Sequence, residues 1–463
     1  MKSKKNNLNI LYVICAMIGT FICIFMHNTQ SIPYYIIPLS YAIALILFRR
    51  YNKFSFEISI LIIDLLMVVR YVILPVSYYF SGGMPIAFSV KNQQLGILLM
   101  IYEMVAVMIT VSLFAPYLLS KKIQNNKYKK IRNNVGVGSF IIILLFLVIL
   151  ILHPQYLKNL FTFKFGDFSA IEMESNVDGM YNLIYKTGII ALCCLVLSKF
   201  SKYKKKKNIH FIIALIFSWI SVWMTSVGTS GMVSRTSFLT NGIIFTLLVL
   251  KNFPEKKKII LFSSFAVVFI MLFLGTVFRF YSASSTSAVT NLLSYETLDS
   301  YFGGLRDVTV GLAMRENYND SINFGTFITD FFAGAPYFAS RSNLNFDNRI
   351  PVYFNNTFFG FSGVVSRICP IIIQGASYFT VFLAPIFSCI CVTIALKCNK
   401  AIKQNNSSIE IYFFALGLYY FATYSMYNIN IIMGGIWNKL LPIFFVIILD
   451  RIKIKNGIKW RKF

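Results

Sequence analysis

Apolar runs of about 18 to 25 residues recur along the whole chain, separated by short polar or basic stretches, and a run of that length crosses a hydrocarbon core of about 30 Å as a helix. About twelve such runs are present. The first, over about 8–26, follows Met1-Lys-Ser-Lys-Lys like the start of a secretion signal, but its length and the lack of a small-residue cleavage pattern predict a retained membrane helix. A second run returns to Arg49-Arg50. The third, 55–80, carries Glu57, Asp64 and Arg70, and the fourth, 96–120, carries Glu103. Charges at such depth are costly unless paired or wet, and Arg70 and Glu103 fall at similar depth, which predicts an ion pair. Later runs cover 135–152, a sixth that ends before Lys202, 209–226, 238–250 and 259–280, with a tenth starting near Ser377, an eleventh near Ile409 and a twelfth ending near Asp450.

Composition agrees with this pattern. A chain of 463 residues that is 57% hydrophobic and 13% charged is too apolar for a soluble protein and predicts an all-α polytopic membrane protein, read as one integral membrane domain over 1–463. The net charge of +27 does not point to nucleic acid, because the basic residues sit in clusters between apolar runs. With the termini and alternate loops placed in the cytoplasm, 31 of the 44 Lys and Arg residues fall there. Both termini are therefore expected inside, and the segments 153–182 and 281–363 outside, the latter between the ninth and tenth helices. All eight cysteines lie in or beside apolar runs, away from any metal-binding or disulfide spacing.

The segment 281–363 is the one long polar interruption. From Arg279 to Arg367 every positive side chain is arginine: Arg279, Arg306, Arg315, Arg341, Arg349 and Arg367, with no lysine between Lys258 and Lys397. Arginine's planar fork grips phosphate or carboxylate through two parallel hydrogen bonds, where lysine offers a point charge. The segment reads as an anion-handling surface. Within it, 297–317 has the apolar spacing of an amphipathic helix, with Arg306 and Arg315 on opposite faces, and 322–338 reads as a surface or re-entrant helix ending at Pro336. No zinc-protease motif, phosphate-binding loop, dinucleotide fingerprint or nucleophile elbow occurs, and no metal or other cofactor is expected.

Two short stretches carry a resemblance. Gly231-Met-Val-Ser-Arg235-Thr-Ser-Phe-Leu leads into an apolar helix, and Gly363-Val-Val-Ser-Arg-Ile precedes Gln374-Gly-Ala-Ser-Tyr-Phe. With about twelve helices and a large external loop late in the chain, the sequence resembles the polysaccharide repeat-unit polymerases (the Wzy family) and the related O-antigen ligases. The resemblance implies a metal-independent glycosyltransferase in a bacterial cytoplasmic membrane, its active site facing outward. It would move a growing glycan from undecaprenyl pyrophosphate onto a new lipid-linked repeat for a capsule, exopolysaccharide or O-antigen. A flippase and a chain-length regulator are the expected protein partners. Arg235, Arg306, Arg315 and Arg341 are the catalytic candidates for the pyrophosphate leaving group, with Asp299 and Glu316 as candidate bases for the acceptor hydroxyl, and Arg279, Arg349 and Arg367 would bind substrate. The alternatives are a lipid-linked oligosaccharide flippase and a ligase; a flippase should keep short loops and carry its basic residues in a central cavity.

A reporter fused after Asn319 should score as external and one after Tyr203 as cytoplasmic. A cytoplasmic score at Asn319 would reverse the placement of the long loop.

Overall fold

The computed structural model describes residues 7–25, 33–48, 56–80, 89–119, 136–155, 176–201, 207–227, 235–282, 295–335, 347–360, 367–405 and 407–451. The described chain is all-helical. Most of the expected second external segment lies outside these residues, as do 283–294, 336–346 and 361–366 of the long loop, Pro336 included.

Apolar helices form where the runs predict them. In chain order they are α1 (Asn7–Phe25), α2 (Ile36–Phe48), α3 (Ile58–Phe80), α4 (Val90–Leu119), α5 (Val137–Leu152), α6 (Asn176–Phe200), α7 (Lys207–Ser226), α8 (Arg235–Asn252) and α9 (Lys257–Ser282). The long loop contributes α10 (Tyr295–Phe302), α11 (Leu305–Asn317), α12 (Phe324–Phe332) and α13 (Ile350–Phe359), followed by α14 (Ile371–Tyr378), α15 (Ile386–Gln404), α16 (Ser408–Ala422) and α17 (Ile429–Arg451). Seven described helical stretches are long and apolar enough to cross a membrane, or eight if the pair Ser237–Asn252 and Pro254–Val268, bent by 116°, is one span. The chain is thus a multi-pass helical membrane protein. The apolar helices α2, α5 and α16 have 13, 16 and 15 residues. At about 1.5 Å per residue they reach only about 20–24 Å, short of the hydrocarbon core.

The chain divides into two compact units. One comprises Met1–Gln124, Thr286–Lys403 and Gly417–Gly435, and the other Asn125–Ser285, Gln404–Leu416 and Ile436–Phe463. In the second unit α5 packs on α6, α6 on α7, and α7 on α8, with Phe146, Ile149, Tyr185 and Ile189 as one buried cluster. The start of α5 is tied to Asp450, which accepts from the Ser139 backbone N–H at 2.7 Å and from its hydroxyl at 2.5 Å.

In the first unit α4 packs against α2 and α11, and α11 also packs against α13 and α14. A helix enclosed this way must be apolar on most sides, and Leu305, Val308, Val310 and Met314 are fully buried. Gly311 lets α14 approach, since a Cβ there would lie 2.6 Å from Ile373. The expected single helix over 297–317 is instead two. Gly303 takes a left-handed φ of +58°, a conformation only glycine adopts freely, so α10 ends there and α11 starts afresh from an extended Gly304.

Deep in this unit α3 widens to a π-helical turn over Val69–Ile73, a local irregularity of the kind that often marks functional positions. That turn carries Arg70, whose Nη1 lies 2.9 Å from Glu103 Oε2, while Ser388 of α15 donates to Glu103 Oε1 at 2.5 Å. Arg70 and Glu103 are 1% and 0% exposed, so neither charge has water to fall back on. The two charges predicted to pair do so.

Removing one partner of such a pair strands the other at a cost of about 3–5 kcal/mol. Arg70→Met or Glu103→Gln alone should therefore reduce the amount of membrane-inserted protein, and the double substitution should recover part of it, as read by immunoblot. Normal accumulation of both single variants would refute a stabilising role for the pair.

Candidate functional site

The break at Gly303 brings two aspartates together. Asp299, on the last turns of α10, and Asp307, in the first turn of α11, are both fully buried. Arg367, whose side chain is 13% exposed, reaches both from beyond α13: its Nη1 is 2.8 Å from Asp307 Oδ1 and 3.9 Å from Asp299 Oδ2. Tyr78, near the end of the membrane helix α3, donates its hydroxyl to Asp299 Oδ1 and accepts from the Arg306 backbone N–H at 3.3 Å. Asn355 of α13 fixes the Arg367 backbone from both sides, accepting its N–H at 2.9 Å and donating to its carbonyl at 3.0 Å. Gly304 is required by contact here: a Cβ would sit 2.1 Å from Asp299 Oδ1 and 2.8 Å from the Tyr78 oxygen.

Electrostatics decide the state of this cluster. Burial, then the neighbouring Asp299 carboxylate, hold the Asp307 carboxyl well above the ordinary carboxylate range, against the pull of Arg367. Asp299 is also raised by burial, opposed by Tyr78, Arg367 and Arg306. Each carboxyl keeps one buried oxygen, Oδ2, without a hydrogen-bond partner among the described residues. Two like charges so close to one guanidinium cannot both ionise cheaply.

Above this pair two guanidinium groups converge on one ring, with Arg367 Cζ 4.0 Å and Arg306 Cζ 4.9 Å from the Phe358 centroid. Both arginines are only partly buried, unlike the aspartates. A stacked, tethered pair of forks is suited to a diphosphate or another dianion.

At the other end of α11 lies an open groove of about 730 Å³, lined by Asn92, Leu95, Leu98, Leu99 and Tyr102 of α4, Leu312, Arg315 and Glu316 of α11, and Asn319, Val381 and Phe382. Asn92 Nδ2 donates to Glu316 Oε2 at 3.1 Å, and the Tyr102 hydroxyl donates to the Phe382 carbonyl at 2.7 Å. Nine residues of helix separate Arg306 from Arg315, about 14 Å along the axis. The candidates thus divide between two places. Asp299, Arg306 and Arg367 come together at one end of α11, and Arg315 and Glu316 line the groove at the other.

Arg349 caps α13 by its backbone and lies near Asp330, a buried carboxylate that Tyr378 and Asn430 hold, with the Ile350 N–H at 3.2 Å. Gln374 donates to Asn430 at 3.0 Å and accepts from the Ile429 N–H at 2.6 Å, so this second polar cluster joins helices. Arg235 is the first residue of α8, as its segment predicts. The side chains of Arg235 and Arg279, and Arg341 altogether, lie outside the described residues. Asp307, Tyr78 and Phe358 escaped the sequence reading. A weak signal was available for Asp307, an aspartate just past a Gly-Gly pair and eight residues beyond Asp299.

No family model matches the chain, and neither a curated protein nor a solved structure shows detectable similarity to it.

The raised carboxyls of Asp299 and Asp307 make the α10–α11 corner pH-sensitive. A folded-state pKa above the unfolded value gives stability that is full below the ordinary aspartate range and is lost as pH rises through the raised value. Hydrogen exchange of the 295–317 amides, corrected for intrinsic rates, should therefore quicken as pH rises above the ordinary aspartate range in the intact protein. Asp307→Asn removes the carboxyl that is held well above that range and should flatten the dependence. A pH-independent wild-type corner would contradict the raised carboxyls.

Proposed function

We propose that the chain is a polymerase of lipid-linked oligosaccharide repeats, acting on the outer face of a bacterial cytoplasmic membrane through a polyprenyl-pyrophosphate donor. The reading rests on the sequence resemblance around Arg235 and Arg367, on the basic-residue asymmetry that favours an external long loop, and on the multi-pass helical character of the chain. The single observation that carries it is the convergence of Arg306 and Arg367 on Phe358 above the buried aspartate pair. When a glycosidic bond to pyrophosphate breaks, negative charge grows on the leaving oxygen, and donors already held in place stabilise it most in the transition state. Arg367 is held by two carboxyls and by Asn355, so little reorganisation is required of it. Asp299 is sealed from solvent, which gives it a positioning role toward Arg367 rather than that of a base. A fixed clamp of this kind suits a transferase better than a flippase, whose cationic groups must release the substrate along a path.

Replacement of Arg306, Arg367 or Arg235 by lysine keeps charge and loses the fork, so polymer output should fall by about tenfold or more with protein abundance unchanged. The readout is a repeat-unit ladder on a gel beside an immunoblot. Wild-type ladders from all three lysine variants would defeat the assignment, and normal polymer in a deletion strain would defeat the reading as a whole.

A further inference from the structure

We infer that α12 is an in-plane membrane anchor, its phenylalanine face inserted at the boundary between headgroups and acyl chains on the side where α15 and α17 begin. The helix is amphipathic inside out. Thr326, Thr329 and Asp330 share one side at helical spacing and are buried, whereas Phe324, Phe327, Ile328 and Phe331 share the opposite side, with Phe324 75% exposed. A loop helix bathed in water turns these two sides the other way round. The polar side chains of the inner side are satisfied within the protein. Thr326 donates to Asn348 Oδ1 at 3.0 Å and Thr329 to the Gly325 carbonyl at 2.9 Å. Asp330 accepts from Asn430 Nδ2 at 2.6 Å, from the Ile350 N–H at 3.2 Å and from the Tyr378 hydroxyl.

Direct contacts seat α12 against the first turns of two membrane spans, Val381–Gln404 and Ile429–Arg451. Asn430 of the latter holds Asp330, and just beyond α12 a Cβ on Gly334 would lie 2.6 Å from the Gly434 Cα. On the other flank the Phe327 ring lies 5.1 Å from Tyr378, 6.3 Å from Phe379 and 6.4 Å from Phe387 of α15. The outward side of α12 is thereby continuous with the exposed Phe379, Val381, Phe382 and Leu383 at the start of a span, where apolar side chains meet the bilayer. That continuity commits the face to lipid, and no charged side chain stands on it to recognise a polar partner. The nine residues of α12, about 13 Å long, are too few to dip through the hydrocarbon core, so the helix lies along the surface with its rings inserted by about 5–10 Å. Because Asp330 also takes the Ile350 N–H, α13, which carries Phe358, is braced on a helix that the bilayer holds.

The test is tryptophan fluorescence of the full-length protein in phosphatidylcholine vesicles, each variant read as its difference from the wild type, whose four tryptophans give the background. Phe324→Trp is the probe. Phe382→Trp, at a position 85% exposed, reports the face of the span, and Asp320→Trp reports the exposed turn before α12. Emission from Phe324→Trp and Phe382→Trp should be shielded from aqueous iodide and quenched about twofold more by bromines high on the acyl chain than by bromines near its end, as an interfacial depth requires. Asp320→Trp should instead be quenched by iodide and insensitive to bromolipid. Iodide quenching of Phe324→Trp, with Phe382→Trp still quenched by lipid, would put α12 in water and overturn the proposal. Shielding of Phe324→Trp from both quenchers would assign the face to protein, a second copy where dilution in lipid relieves it, and would overturn the proposal equally. So would loss of the bromolipid quenching on adding a small mole fraction of a polyprenyl phosphate, which would assign the face to that one tail. Polymer output plays no part in the readout, so the result stands apart from the transferase reading.

Discussion

Two aspartates without exposed surface share a single guanidinium nitrogen, and the described part of the long loop takes its shape from that constraint. Neither carboxyl can be left alone in such surroundings, because an unpaired buried charge costs several kcal/mol. Asp299 and Asp307 can meet only if the chain reverses between them, which requires the left-handed Gly303, and they can meet Tyr78 only if residue 304 has no side chain. Tyr78 belongs to a membrane helix and Arg367 to the far side of the loop. One polar cluster therefore ties together α3, the α10–α11 corner and the chain after α13.

The same unit contains a second buried charge problem with a different solution. Arg70 and Glu103 neutralise each other one to one, and Ser388 takes the remaining carboxylate oxygen, so no proton need be held. At the loop cluster two carboxyls meet one guanidinium, and burial raises both of them. The second arrangement sits beside the two arginines that meet on Phe358. Any change in the charge of the aspartate pair would alter the hold on Arg367 and hence the geometry of the clamp.

How much of this was legible in the sequence follows from the range of the interactions. Membrane helices announce themselves by local composition, and Arg70 and Glu103 could be matched because a charge inside an apolar run has few places to go. The lysine-free window marked the loop as a place for arginines, but periodicity read 297–317 as one helix. It saw the apolar spacing and could not see that a positive φ at Gly303 would divide it. Arg306 and Arg367 lie sixty-one residues apart, and the ring on which they meet, Phe358, is one of many phenylalanines; no local pattern distinguishes it. The groove was hidden for the opposite reason. Leu95 and Leu98 look like ordinary lipid-facing leucines, and only the arrival of α11 and Phe382 turns that face into a lined channel.

Helix α11 is therefore more than a connector. Its middle is buried on all sides, with Gly311 admitting α14 and its other contacts falling on α4 and α13, which leaves its two ends as the places where polar side chains can reach a ligand. In its first turn Asp307 holds Arg367 in place, and in its last turn Arg315 stands at the mouth of the groove, where a positive charge complements the helix dipole.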